Sequence, residues 1–320
     1  MSLKLIKLVK LLSDGRHHDG DSLGEQLQVT RSAVWKMIKK LTVYGVAFDT
    51  VKGKGYALLT PLVLLEARWI KKQLNLDQVE VQVFETLSST NDYLKACQAR
   101  LPIQICLAEQ QTHGKGRLGR DWYSPFGQNL YLSCRYAFQK EISELSGLSL
   151  VTSLAVVAAL RERGVSQLAV KWPNDIVHAR GKLSGSLIDI QAETHGACHA
   201  VIGIGVNVNM RQANDAIDQA WTSMRQLMGV DVDRNELCVS LINTLIRYLK
   251  RFEAHGLADF VKEWSAHDCL MRQSVAIHQA NGRVRGVVTG INAQGHLLLQ
   301  LADGTVQAFS SGDTTLCKSA

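Results

Sequence analysis

The segment Gly114-Lys115-Gly116-Arg117-Leu118-Gly119-Arg120 constrains the chain most. Three glycines interleaved with three cations, followed by Asp121, Trp122 and a Ser124-Pro125-Phe126-Gly127 turn, make a loop suited to holding an anion. Glycine lets the main chain approach a ligand closely and take positive φ, while N–H groups and Arg or Lys heads meet negative oxygen from several sides. Small phosphorylated or adenylylated molecules are the natural guests. The letters also spell G-x-G-x-x-G, the dinucleotide fingerprint, but that loop should open directly into a helix facing the pyrophosphate. A proline turn follows here instead, so an anion cradle fits better than a nicotinamide site; a plain basic surface loop is the other alternative. No Gly-Lys followed by Ser or Thr stands at the P-loop spacing.

The 320 residues exceed one typical core, which predicts two or three domains. Hydrophobic residues at 46% and charged residues at 20% describe a globular chain and exclude a disordered one. The longest apolar run, 154–160, is too short for a bilayer, and Lys4, Lys7 and Lys10 punctuate the first residues, so a cytoplasmic protein with no membrane partner is expected. Seven cysteines without a C-x-x-C pair suit a reducing compartment. The adjacent His17-His18 read as part of a solvated turn, and no structural zinc site is indicated. A net charge of +7 favours an anionic partner where the cations gather.

They gather first near the N-terminus. Leu5, Leu8, Val9 and Leu12 repeat at helical spacing before Ser13-Asp14-Gly15 stops them; a second short helix carries Leu23 and Leu27; a third begins near Thr30 with Val34, Met37, Ile38 and Leu41 inside. Its other face shows Arg31, Ser32, Trp35, Lys36, Lys39 and Lys40, suited to a DNA groove and its phosphate walls. Residues 49–59 read as a ribbon turning at Lys52-Gly53-Lys54-Gly55, a basic wing. Three helices plus a wing predict a winged helix-turn-helix whose DNA contacts are Thr30, Arg31, Ser32, Trp35, Lys36, Lys39, Lys52 and Lys54. A solvated helix face in a protein–protein module is the alternative. One such module binds weakly, so two copies on a two-fold operator are expected, with a steep salt dependence.

After Pro61 a helix is expected over 62–74, then a strand at 79–84. Ser89 and Asp92 match a capping box for a helix over 93–99, while Ser89, Thr90 and Asn91 equally suit a polar ligand head. Further strands are read at 105–108, delivering Gln110-Gln111, and at 129–135, with a long helix over 145–163 ended by Gly164. In Lys171-Trp172-Pro173-Asn174-Asp175 the proline excludes a central strand and leaves Lys171, Asn174 and Asp175 on a loop. Asp175 either approaches a magnesium phosphate or makes an Asx turn. Lys182 at a strand entrance, with Gly185 behind it, suggests close backbone approach to a ligand, or an edge lysine. A last strand over 199–208 contains Gly203-Ile204-Gly205-Val206-Asn207. The domain reads as α+β, with the ligand across the sheet. Residues 273–317 read as a small β module with turns at Asn281-Gly282, 292–295 and Asp303-Gly304.

In that order, Ser89-Thr90-Asn91, the loop 114–120, Lys171-Trp172-Pro173-Asn174-Asp175, Lys182-Leu183-Ser184-Gly185 and Gly203-Ile204-Gly205-Val206-Asn207 resemble biotin protein ligase; with the N-terminal module the chain is similar to the bifunctional ligase and biotin operon repressor. The likeness covers nearly the whole chain. It implies a winged helix-turn-helix (1–62), a central mixed-sheet ligase domain with helices, class II synthetase-like (63–270), and an SH3-like β-barrel (271–320). It implies two half-reactions, attack of the biotin carboxylate on the α-phosphate of ATP, then transfer from biotinyl-5'-AMP to a lysine of the biotin carboxyl carrier protein of acetyl-CoA carboxylase, with Mg2+ as cofactor and a ligand-bound homodimer on operator DNA.

The resemblance also implies roles. Lys182 and Arg117 are catalytic; Ser89, Thr90, Asn91, Gln111, Lys115, Gly116, Gly185, Gly203 and Gly205 join them around biotin. Arg120, Trp122, Lys171, Asn174, Asp175, Asn207 and Trp221 lie with them on the nucleotide side, Asp175 toward magnesium. Lys115 and Leu118 stand where the family has arginine, the loop 211–221 is one residue shorter, and Cys317 replaces an expected arginine. A lipoate ligase and a DNA-binding sensor without catalysis are the competing readings.

Overall fold

The computed structural model describes residues 2–98, 100–192, 198–212, 217–279, 282–310 and 312–317. Helices α1 (Leu3–Leu12), α2 (Gly20–Leu27) and α3 (Arg31–Val43) come first. Leu5, Leu8, Val9 and Leu12 occupy one stripe of α1 and are buried, as their spacing requires. The Asp19 side chain accepts from the Asp21 and Ser22 amides at the start of α2, and the Thr30 hydroxyl accepts from Ala33 N at the start of α3. Strands β1 (Phe48–Val51) and β2 (Gly55–Leu58) pair antiparallel into the wing, turning through Gly53 at φ 82°. His17 and His18 do not sit free in a solvated turn. The main chain of His18 exchanges two 2.9 Å hydrogen bonds with Tyr56. The ring of His17 lies 3.1 Å from Asp49 Oδ2, and that of His18 3.0 Å from Asp14 Oδ1.

This module shares its core with the chain beyond the wing. Leu64 and Phe126 are buried among Leu12, Leu41 and Leu58, and the rings of Tyr44 and Phe126 stack at 4.5 Å and 12°. Lys10 pairs with Glu66 and Lys40 with Glu85 across the same junction. The helix expected over 62–74 is shorter: α4 is Ala67–Gln73. Residues 63–66 stay extended because side chains from elsewhere take their backbone groups. Leu65 N donates to Glu109 Oε1 at 2.6 Å, Arg234 Nη2 donates to Val63 O at 2.7 Å, and Asn235 bonds both Leu64 O and Glu66 N. Arg234 and Glu109 pair at 2.6 Å with both side chains fully buried, so each satisfies the other's charge.

The central sheet has seven strands: β3 (Val79–Leu87), β4 (Ile103–Gln111), β5 (Leu130–Phe138), β6 (Ala169–Lys171), β7 (Asp175–His178), β8 (Gly181–Ala192) and β9 (Cys198–Val206). Their order is β3-β4-β5-β9-β8-β7-β6; only β3 and β4 run parallel. Helix α6 (Leu148–Glu162), apolar nearly all round, and α8 (Arg234–His255) cover one face with α9 (Val261–His267) beside them. No motif announces α8, yet its Leu237, Leu241, Leu245 and Leu249 stripe supplies much of the core. The other face carries the short helix α5 (Thr90–Ala96), packed on Cys106 and Val201. Its capping by Ser89, which accepts from Asp92 N, is as expected, but the helix starts three residues earlier than 93; Ala99, its expected end, lies outside the described residues. The uncovered half of that face is the cleft. The short helix α7 (Met224–Met228) is tied to the end of β9, Met224 N and Arg225 N donating to Asn207 O and Val208 O.

The last module is an antiparallel sheet of β10 (Ser274–Gln279), β11 (Gly282–Ile291), β12 (Leu297–Gln300), β13 (Val306–Phe309) and β14 (Asp313–Leu316), in the order β13-β12-β11-β10-β14. The reversals at 292–295 and 303–304 form as expected, with positive φ at Gly295 and Gly304. Asn281 of the remaining turn lies outside the described residues.

Candidate functional site

An open cleft lies on the bare half of the central sheet. Its floor is a strand register with glycines at its centre. Ser133 on β5, Gly203 on β9 and Leu187 on β8 stand opposite one another, and the next row is Tyr131, Gly205 and Gly185. The glycines leave room that side chains from above fill. A Cβ on Gly203 would collide with the Asn91 amide, and one on Gly205 with the Trp122 indole. The alternation Gly203-Ile204-Gly205 is therefore a two-residue strand period in which the even position packs the core and the odd ones admit a visitor.

One end of the cleft is polar and hydrogen-bonded throughout. Asn91 Nδ2 donates to Leu187 O at 3.2 Å and Asp189 Oδ2 at 3.1 Å. Ser133 Oγ lies 2.6 Å from Asn91 Oδ1 and 2.7 Å from Thr90 Oγ1. The Thr90 amide reaches Gln111 Oε1 at 2.9 Å, and Gln111 Nε2 donates to Ser124 Oγ at 3.2 Å. Ser89 both caps α5 and lines the cleft, so the two readings of 89–91 hold together.

The cations occupy the other end. The glycine-cation loop is a small closed hairpin: Gly116 N donates to Arg120 O at 2.6 Å and Trp122 N to Gly114 O at 2.8 Å. Leu118, exposed at its tip, takes φ 56°. Lys115 pairs with Asp92 at 2.6 Å, fastening the loop to α5. Arg117 points under the loop toward Asn174 Oδ1, 3.5 Å away, and burial holds its guanidinium below its usual pKa. Lys182 Nζ pairs with Asp175 Oδ1 at 2.8 Å and sits 5.4 Å from the Trp122 ring centre. The two cations are thus held by consecutive residues.

Asn174 and Asp175 are themselves positioned from below. Trp172, buried at the turn between β6 and β7, donates from Nε1 to Gly295 O at 3.1 Å, and its carbonyl accepts from Thr314 Oγ1 at 3.2 Å, so the last module grips this turn. The turn itself is shorter than the loop expected from Lys171 to Asp175, because Lys171 ends β6 and Asp175 begins β7 in register. The cleft is lined by Ser89, Thr90, Asn91, Gln111, Lys115, Gly116, Arg117, Arg120, Trp122, Asn174, Asp175, Lys182, Gly185, Gly203 and Gly205. Asn207 and Trp221 line an adjoining cavity with Lys182, where Asn207 Nδ2 ties the carbonyls of Lys182 and Thr222. Lys171 is in neither lining. Of the loop 211–221, residues 213–216 lie outside the described residues. Ser133 and Asp189 were invisible in the sequence, since each lies in mid-strand with no motif around it. Cys317 N donates to Ser274 O at 2.9 Å at the far edge of the last sheet.

The proposed DNA-contact residues Thr30, Arg31, Ser32, Trp35, Lys36, Lys39, Lys52 and Lys54 are all exposed. Trp35 is 47% exposed with Lys39 Nζ 4.8 Å from its ring centre, and Arg31 pairs with Asp21 at 2.9 Å. No helix among the described residues is long and apolar enough to cross a membrane.

Similarity to known proteins divides along the same three parts. The model of the biotin/lipoate A/B protein ligase family matches residues 83–207, a helix-turn-helix domain model matches 4–57, and the model of the biotin protein ligase C terminal domain matches 273–314. The chain is similar to the bifunctional ligase/repressor BirA of Salmonella typhimurium, 38% identical over 313 residues and 97% of each chain. It is equally similar to that of Escherichia coli, at 38% over 97% of this chain and 96% of the other. The solved biotin protein ligase from Aquifex aeolicus in complex with biotin and ATP has a TM-score of 0.64 at 27% identity, covering 75% of this chain and 99% of that one.

Proposed function

The chain belongs to the bifunctional biotin ligase/repressor family, and we propose from that premise how its own residues perform the two tasks. It is an ATP-dependent biotin protein ligase and a repressor of transcription. The observation that carries the assignment of residues is the anchoring of Arg117 and Lys182 on consecutive positions, Asn174 and Asp175, above a glycine floor.

The first step joins two anions, a carboxylate and the α-phosphate of ATP, so its barrier is largely electrostatic. Fixed cations in a cleft that excludes water lower it without reorganising. Lys182 meets the carboxylate oxygen and the α-phosphate and stabilises the charge that grows there as pyrophosphate leaves. Arg117, brought in by the glycine hinge, lies along the phosphate, and Lys115, Gly116 and Arg120 close the lid over biotinyl-5'-AMP, protecting the mixed anhydride from water. The carrier lysine then attacks the acyl carbon and AMP departs. The polar end formed by Ser89, Thr90, Asn91 and Gln111 takes the ureido ring, with Gly185, Gly203 and Gly205 beneath it. Trp122, Asn174, Asn207 and Trp221 face the nucleotide, and Lys171 acts only by holding the end of β6.

Among the described residues no three acidic, histidine or cysteine side chains converge on one point. Asp175 offers a single carboxylate, which fits Mg2+, an ion held chiefly by nucleotide phosphates and water. When bound there, Mg2+ supplies neutralisation of the phosphate charge.

The reading extends to assembly. The three parts are divided at 1–62, 63–270 and 271–320, the middle one class II synthetase-like and the last an SH3-like barrel; the protein works in the cytoplasm. The exposed cations of α3 and the wing meet operator DNA, and the adenylate-bound protein dimerises so that two modules read half-sites a helical turn or a multiple apart. The acceptor is the carboxyl carrier protein of acetyl-CoA carboxylase. The test is incubation with biotin, ATP, Mg2+ and a carrier domain, followed by mass spectrometry. The carrier should gain one biotinyl group, and an unmodified carrier with no biotin-dependent ATP–pyrophosphate exchange refutes the assignment. A lipoate ligase is the second reading; the wholly hydrogen-bonded end of the cleft disfavours it, because a dithiolane offers that end no partner.

A further inference from the structure

We propose that Asp189, a carboxylate outside the cleft lining, sets the hydrogen-bond polarity of the polar end through Asn91 and Ser133, so that Thr90 presents a lone pair to the ligand. Asp189 and Ser133 are then positioning residues for recognition of a cyclic urea. The inference rests on the reading that this cleft holds biotin.

The two hydroxyl hydrogens of Ser133 and Thr90 each have two oxygens in reach, and the atoms that can only accept decide between them. Asn91 faces Leu187 O at 3.2 Å and Asp189 Oδ2 at 3.1 Å, and both of those oxygens only accept, so the NH2 side of the amide is forced toward them. Lys95 Nζ, 3.4 Å from Asp189 Oδ1, holds the carboxylate in place. Asn91 Oδ1 is thereby turned toward Ser133 Oγ, 2.6 Å away. Ser133 is fully buried and has a single hydroxyl hydrogen, which goes to the atom that can only accept, Asn91 Oδ1. The Thr90 hydroxyl lies 2.7 Å from Ser133 Oγ and 3.1 Å from Gln111 Oε1, both on its inner side; since Ser133 has no second hydrogen to put into the shorter contact, Thr90 supplies it. Gln111 Oε1 does not need that hydrogen, since the Thr90 amide supplies it at 2.9 Å. The orientation of Gln111 is fixed in turn, because Ser124 gives its own hydrogen to Trp122 O at 2.8 Å and accepts from Gln111 Nε2.

The outcome is a polarised wall. Thr90 turns its hydrogen inward and a lone pair toward the cleft, while Ser89, whose oxygen accepts from Asp92 N at 3.4 Å, keeps its hydrogen for the ligand. An acceptor beside a donor matches an N–H beside a C=O, the edge of a urea. A site built to hydrogen-bond a particular group rejects what lacks it far more strongly than an apolar pocket rejects a shape.

The test measures biotin-dependent ATP–pyrophosphate exchange for wild type, Asp189→Asn and Ser133→Ala, with KM determined for biotin, desthiobiotin and ATP. Asp189→Asn, at a half-exposed position, keeps shape while weakening the hold on the Asn91 amide to the Leu187 carbonyl alone, and Ser133→Ala removes the relay. Both should raise KM for biotin about tenfold or more, and that for desthiobiotin, which keeps the ureido ring, by the same factor, while KM for ATP and kcat stay within about twofold. An unchanged KM for biotin in Asp189→Asn overturns the inference, as does a parallel rise for biotin and ATP, or a rise for biotin without one for desthiobiotin. Should Ser133→Ala not fold, judged by thermal melting, Asp189→Asn alone decides. Absence of exchange in the wild type would instead sink the reading of the site.

Discussion

The N-terminal module and the central cleft are both rich in cations, arranged oppositely. On α3 and the wing, Lys36, Lys39, Lys52 and Lys54 stand exposed in water. In the cleft, Lys115 lies on Asp92, Lys182 on Asp175 and Arg117 against Asn174. A solvated row of charges suits a polyanion, whose binding grows phosphate by phosphate through counterion release and tolerates small displacements. Cations held at fixed points suit one phosphate at one moment of a reaction, where an ångström matters. Charge count thus reports an anionic partner, while the partners of each charge report whether it serves a surface or a reaction.

Substitutions on the two sides probe that contrast. The largest effect should come from Arg234→Leu, which leaves Glu109 buried without its counter-charge; denaturant unfolding should show a loss of about 3–5 kcal/mol. A loss below about 1 kcal/mol would mean that the cleft is not seated on a rigid frame. Next, Lys182→Ala should lower biotin-dependent exchange by about 10² to 10³, the range for removing one preorganised electrostatic group; a change within threefold would place the cleft with the tolerant surface. Gly205→Ala forces the Trp122 ring off the floor, an overpacking of about 1–3 kcal/mol, so calorimetry should find biotinyl-adenylate bound roughly tenfold more weakly. The smallest effect belongs to the reading head. Lys54→Ala should reduce the slope of log affinity for operator DNA against log salt by about one, with little change of sequence preference. Unaltered slopes for Lys36→Ala, Lys52→Ala and Lys54→Ala together would remove DNA from the module's charge pattern.

The sequence made local arrangements legible and distant ones not. The glycine-cation loop, Ser89-Thr90-Asn91 and the 171–175 turn each announce themselves within a few residues, because glycine, proline and caps act on their own neighbourhood. The three N-terminal helices were equally plain, being set by one apolar stripe and two caps. The Glu109–Arg234 pair links positions 125 apart, and each member alone resembles a surface residue. That pair is also why the helix expected from 62 starts only at Ala67. Ser133 and Asp189 reach the same Asn91 amide only once β5, β9 and β8 come into register, an event with no local signature. His17 misled for the same reason, since the Asp49 it faces is brought to it by the wing, whereas His18 faces Asp14 of its own turn.

Phe126 closes the turn that follows the ligand loop, yet its ring lies in the N-terminal core against Tyr44. A shortened enzyme that begins after the linker would therefore carry a bare phenyl ring on its surface, and the detached reading head would carry a hollow where that ring belonged. The seam between vitamin chemistry and gene control is stitched through a shared interior, so neither half can be cut away cleanly without repairing the other.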